Sequence, residues 1–280
     1  MSLDKLWGHI EDLSKPINLD SFHIRSLSGS RLFLWPGPNE RIYDIYRLSI
    51  TIDRQGCSYV PDPIDLTPFR PYVKASLSEL KSAPEFLQIA ALDALLPSIP
   101  TKIEPLQIVR CHKSPWEKSL WRAETVVHYT YQLLTRSGQR KHRIALIGYS
   151  DAIVSELVKM GITVDVFDLD PLVIGKILEN SHTILHGDAF FSRLDTYNAV
   201  IVTGMSLANG TFWRLQDLCQ KAGIFIIMYA QTGGHLGPVM VELGVDIFIG
   251  ECSPFYYEDG LSEASIYVNP KYQLDLASGL

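Results

Sequence analysis

Hydrophobic positions follow two rhythms along the chain, and the change falls near Arg143. Leu3, Leu6, Trp7, Ile10 and Leu13 recur at helical spacing and predict an amphipathic opening helix that ends before Pro16 and needs a partner surface. Short β-rich runs at 22–27, 31–35 and 47–53 are separated by Ser28-Gly29 and Pro36-Gly37-Pro38, a pattern that predicts antiparallel strands of a small sheet. Residues 54–59 read as a loop, and Pro61, Pro63, Pro68 and Pro71 extend the irregular stretch. Pro84 then opens a helix rich in small residues, including Ala90, Ala91 and Ala94, which permits close packing. Residues 1–105 are thus expected to form an α+β unit.

Ser114-Pro115-Trp116-Glu117 has the form of a capping box with proline at the first helical position. Trp116, Leu120, Ala123, Val127, Tyr131 and Leu134 follow at steps of three and four, so one face is apolar as far as Arg136. A polar connector, 137–142, leads into buried strands alternating with helices. Strands are expected at 144–147, 163–167, 183–185, 199–202, 224–229 and 245–249. Helices are expected over 151–160, from Asp170-Pro171 through Leu178, and from near Asn209 and Leu236. This alternation calls for a Rossmann-like, doubly wound parallel sheet over 106–280, covered on both faces.

A hydrophobic fraction of 46% and a charged fraction of 20% are those of an ordinary globular protein. The net charge of -6, with no long basic run, argues against nucleic acid as a partner. The apolar run at 224–230 is too short to span a bilayer, so the chain reads as soluble and cytoplasmic, with no membrane partner. Cys57, Cys111, Cys219 and Cys252 are widely spaced without a C-x-x-C pair, and are expected to be reduced thiols.

In an open parallel sheet ligands collect beyond the carboxyl ends of the strands, where strand order reverses. Five loops are selected. Gly148-Tyr149-Ser150-Asp151 offers a tight turn and a helix start, without G-x-G-x-x-G. Asp168 follows about twenty residues later, the spacing of a ribose contact, while Asp170 is read as a helix cap. His186-Gly187-Asp188 reads as a turn. In Thr203–Thr211, Thr203, Gly204, Ser206, Asn209 and Thr211 could cradle an anion at a helix start, or cap that helix. Gln231-Thr232-Gly233-Gly234-His235 sets an imidazole beside two glycines that permit close backbone approach, and Glu251 and Cys252 follow the last strand. His235, Glu251 and Cys252 are candidate ligands of a divalent transition metal, since imidazole, carboxylate and thiolate suit such an ion. G-x-S-x-G and the phosphate-binding P-loop are absent from the sequence.

Together, Ala90-Ala91-Leu92-Asp93-Ala94-Leu95-Leu96, Ile147-Gly148-Tyr149, the stretch from Val202 to Thr211 with its Thr-Gly and Asn-Gly-Thr, and Gly244-Val245-Asp246 with Gly250 resemble a heavy-metal-chelation family. That resemblance implies an enolase N-terminal-like domain followed by a Rossmann-like domain, with a site at their junction that first-domain loops such as 54–59 close. The chain departs from the pattern at Asp93, where Asn is expected, and at 230–235, where a Gly-Pro-Ser-type loop is expected. Three functions follow as expectations: a protein binding a metal ion or metal chelate in the cleft, an enzyme using a nucleoside-type ligand such as S-adenosylmethionine, or a scaffold without a small ligand. Homo-oligomer formation is left open.

Overall fold

The computed structural model describes the chain except residues 1, 16, 35–42, 61, 139–141, 179–182, 252–260 and 277–280. Its first helix, α1 (Leu3–Leu13), buries Leu3, Leu6, Trp7 and Ile10, the stripe that the spacing marks. Each such side chain removed from water contributes about 1.5–3 kcal/mol.

Three antiparallel strands follow, β1 (Ser26–Leu34), β2 (Tyr43–Thr51) and β3 (Gln55–Val60), in the order β1-β2-β3. Two segments differ from expectation. Ser28-Gly29 lies inside β1, with Gly29 opposite Leu48 and the Tyr46 ring filling the space its side chain would take. Residues 54–59 are largely strand rather than loop. Gly56 is there because β3 runs close against the next helix, where a Cβ would collide with the Ala90 carbonyl and the Ala94 amide. That helix, α2 (Glu85–Leu95), is buried from Leu87 to Leu95, including Gln88 and Asp93. A helix apolar on all sides belongs in a core.

The second sheet contains β4 (Gln107–Cys111), β5 (Arg143–Ile147), β6 (Thr163–Asp168), β7 (Leu185–His186), β8 (Ala199–Thr203), β9 (Phe225–Ala230), β10 (Ile247–Glu251) and β11 (Ser262–Val268). Its order is β4-β11-β10-β9-β8-β5-β6-β7. From β10 to β7 the pairing is parallel. Numbered from β5, these strands run 6-5-4-1-2-3, the doubly wound order, with its reversal between β5 and β8. The sheet is mixed rather than purely parallel, because β11 runs antiparallel to β10 and to β4. Neither of these two strands is among those expected.

One face is covered by α3 (Pro115–Arg136), which opens with the expected reciprocal Ser114–Glu117 capping box, and by α4 (Asp151–Lys159). The other is covered by α6 (Thr211–Ala222) and α7 (Gly237–Glu242), together with α1, α2 and the short α5 (Met205–Ala208). On this second face one continuous core joins Leu6, Leu48 and Leu92 to Val202, Met228 and Phe248. The boundary at residue 105 therefore coincides with no gap in packing. The helix expected through Leu178 does not form: the amide of Gly175, at φ 85°, donates to the Ile184 carbonyl, and Ile177 bridges Thr183 as the chain turns back. Among the described residues no helix is long and apolar enough to cross a membrane.

Candidate functional site at the seam of the two sheets

The reversal point between β5 and β8 is closed by a contact between two of the expected site residues. Gly148 has φ 93°, and a Cβ there would lie 2.6 Å from Oγ1 of Thr203. Glycine is required twice over, by the left-handed backbone and by the neighbouring strand end. The next amide, Tyr149 N–H, donates to Oδ2 of Asp168 at 2.8 Å, while Oδ1 of Asp168 accepts the Asp170 amide at 2.9 Å. Asp168 thus binds the two loops to one another, as an acid at a strand end commonly does. Asp170 in turn accepts from the Leu172 amide, so its capping geometry forms without a helix behind it. Lys176 reaches the Tyr149 hydroxyl at 3.2 Å and lies over its ring.

In the loop after β8, the Ser206 hydroxyl donates to the Thr203 carbonyl, and Oδ1 of Asn209 accepts both the amide and the hydroxyl of Thr211. These short polar groups close the turn that leads into α6, but the cap position is Gly210, so neither Ser206 nor Asn209 caps that helix as expected. Gly204 is pressed against the loop that follows β9, where a Cβ would lie 2.7 Å from the Thr232 carbonyl. Gly210, at φ 73°, lies against the Glu85 carboxylate of α2. An acid of the chain itself therefore stands at the start of α6, where the helix dipole favours negative charge.

The loop after β9 joins the two sheets. Strand β3 is an edge, and its outward backbone groups find partners across the seam: Cys57 N–H donates to Oδ2 of Asp93, Tyr59 N–H to Oγ1 of Thr232, and Gly233 N–H to the Cys57 carbonyl. The Cys57 thiol faces the Gln231 carbonyl at 3.2 Å. The close approach that Gly233 and Gly234 permit is therefore to protein backbone and side chains. A Cβ on Gly233 would strike Leu236, and Gly234 presents its carbonyl to the space beside Gly250.

Asp93 is 1% exposed at its side chain, yet both of its oxygens are bound. Oδ1 accepts the His235 amide at 2.7 Å and faces His235 Nδ1 at 3.2 Å, while the ring stays 28% exposed. Because a carboxylate can only accept, Nδ1 carries the hydrogen and the neutral ring leaves its lone pair on Nε2. Burial by itself would lower the affinity of His235 for a proton. The Asp93 carboxylate more than reverses that, so the ring holds its proton above the ordinary histidine range. Both departures from the family pattern, Asp93 and the 230–235 segment, meet at this contact. Cys57 belongs to the 54–59 segment that the resemblance brings to the junction, whereas Asp93 was not expected in the site; the departure at 93 was the available signal.

Glu251 lies elsewhere. Its Oε2 takes Arg122 at 3.0 Å, Tyr229 at 2.8 Å and Gln231 at 3.1 Å, under α3. Glu251 and His235 are thus bonded to helices on opposite faces of the sheet and do not come together. Cys252 lies outside the described residues. Among the described residues no three His, Cys, Asp or Glu side chains converge on a metal position. Cys57, Cys111 and Cys219 are free and buried, with burial pushing the Cys57 and Cys219 thiols up to about 12. Neither is a ready thiolate ligand. The donor set of the described residues therefore fits one exposed imidazole nitrogen and not a thiolate cage.

A family model, DUF364, described as "Putative heavy-metal chelation", matches residues 133–250. A DUF364 protein of unknown function from Desulfitobacterium hafniense aligns with a TM-score of 0.54 at 13% identity, covering 95% of this chain and 100% of that one. Another, from Pyrococcus horikoshii, aligns with a TM-score of 0.56 at 15% identity, covering 94% and 100%. At such identities the likeness speaks for the fold. No curated protein matches the chain. Residues 133–250 thus carry the match to DUF364, the heavy-metal-chelation family that the sequence resembles, on a fold shared along nearly the whole chain with solved structures of that family.

Proposed function

We propose that the chain binds a small ligand where the three-stranded sheet meets the carboxyl end of β9, and that the ligand is a metal ion or metal chelate held by Nε2 of His235. The observation that carries this reading is the Asp93–His235 pair. A metal-binding histidine typically donates its other ring N–H to a carboxylate, which fixes the tautomer and raises the basicity of the ligating nitrogen. Here a buried carboxylate does this to a partly exposed ring, and the His235 backbone is held by the same oxygen. The family description points the same way.

The test is calorimetry on untagged, metal-stripped protein with divalent cobalt, nickel, copper and zinc. H235A is expected to abolish binding, and D93N to weaken it by about 10–100-fold, the usual effect of losing such a supporting carboxylate. Unchanged affinity in H235A overturns the proposal. A second reading, a nucleoside-type ligand and transferase chemistry, is favoured by the doubly wound strand order and by Asp168 at the end of β6. It requires Asp168 to keep acceptor capacity beyond the Tyr149 and Asp170 amides. D168A abolishing S-adenosylmethionine binding would support it.

A further inference from the structure

A pocket of about 330 Å³ opens at the start of α6, beyond the carboxyl ends of β7 and β8. Four parts of the chain line it: Glu85 from the start of α2, Asp188 and Phe191 from the turns after β7, the loop before α6, and Arg214 from its first turns. Its volume lies at the lower end of the range for small-ligand sites. Two features make it more than a surface dent. Glu85 is half-buried against Gly210, where only a residue without a side chain leaves room for the carboxylate, and it has no ion pair or hydrogen bond among the described residues. Arg214 has its guanidinium laid over the Phe191 ring at 4.0 Å and likewise lacks a carboxylate partner among the described residues. Asp188 adds a second carboxylate, whose one ion pair among the described residues is with His186 at 3.5 Å.

An unpaired cation and an unpaired carboxylate thus face one cavity without meeting each other. A ligand of one sign would be attracted by one wall and repelled by the other. We propose that this pocket binds a compact zwitterion of the α-amino-acid class, its ammonium between Glu85 and Asp188 and its carboxylate on Arg214. Arginine suits the carboxylate because its planar fork can donate two parallel hydrogen bonds, and stacking on Phe191 holds that fork in place. Burial raises the proton affinity of the Glu85 carboxyl, so an ammonium neighbour would relieve a desolvated charge. The pocket lies at the opposite end of α2 from Asp93, and the inference does not depend on the metal reading.

The experiment uses the untagged, metal-free full chain and calorimetry with each standard α-amino acid, then with the amine and the 2-hydroxy acid that correspond to any amino acid that binds. The expected result is saturable binding of at least one amino acid, with each singly charged analogue weaker by about tenfold or more. E85Q and R214M should each weaken the amino acid by about tenfold or more, with melting temperatures unchanged, and H235A should leave it intact. D188N serves as a second acid variant should E85Q fail to fold. Absence of binding by every amino acid overturns the proposal, as does an analogue binding as tightly as its amino acid or an R214M protein of undiminished affinity.

Discussion

One oxygen of Asp93, Oδ1, holds both the backbone amide and the ring Nδ1 of His235, at 2.7 and 3.2 Å, while Oδ2 holds the amide of Cys57. The side chain of an α2 residue thereby fixes the β3 edge and the loop after β9 relative to each other. D93N keeps the shape but turns one acceptor into an NH2 donor facing an N–H. It is expected to cost about 1–3 kcal/mol, the penalty of a buried donor left unsatisfied, read as a lower urea midpoint with an unchanged m-value. C57A retains the amide and should leave the seam intact.

The same pair makes stability pH-dependent. In metal-free protein the folded-state proton affinity of His235 is raised above the ordinary histidine value of 6.5, so the pair stabilises fully below that value and the contribution is lost as pH rises through the raised one. H235Q should therefore cost more stability at about pH 5.5 than at about pH 8.5. His128 acts in the opposite sense, because burial lowers its proton affinity. The unfolded chain then takes up the proton first, and stability falls as pH drops below 6.5, so H128Q should flatten the acid limb of the melting-temperature profile.

Arg122 and Glu251 form an ion pair with side chains 8% and 0% exposed. Removing one partner leaves a charge in the core, and E251L is expected to cost about 3–5 kcal/mol. The double variant R122M/E251L should recover most of that loss. With R122M alone completing the cycle, a loss in the double variant equal to the sum of the two single losses would show that the pair is not coupled.

Gly148 combines a φ of 93° with a contact that leaves no room beside Thr203. G148A is expected to lower stability by about 1–3 kcal/mol, from the left-handed backbone and from crowding together. T203G in the G148A background should return the crowding part and not the backbone part, and thermal unfolding of G148A, T203G and the double variant separates them.

Cys57 and Cys219 should resist alkylation by iodoacetamide at neutral pH in the native protein and react on unfolding, since the thiols are pushed up to about 12 and buried. Peptide mapping by mass spectrometry reads each site separately.

Local patterns decided much of this protein before any packing was known. The stripe of α1, the Ser114–Glu117 capping box and the stop of α4 at Gly161, φ 70°, all act through residues a few positions apart. The parallel strands were legible for a related reason: the middles of β5, β8 and β9 are buried on both faces and so are apolar runs. What depends on distant partners was not legible. Gly56 looks like a loop residue until α2 is laid against it, and β4 and β11 have no apolar run and exist because each pairs with the other beside β10. The metal candidates show the same limit. His235 and Glu251 both follow parallel strands, but a sheet has two faces, and only the packing of α2 on one and α3 on the other gave His235 to Asp93 and Glu251 to Arg122. Sequence set which residues reach the carboxyl edge of the sheet; tertiary structure chose their partners, because a side chain's hydrogen bonds reach about 3 Å and the chain bridges 142 positions to make one.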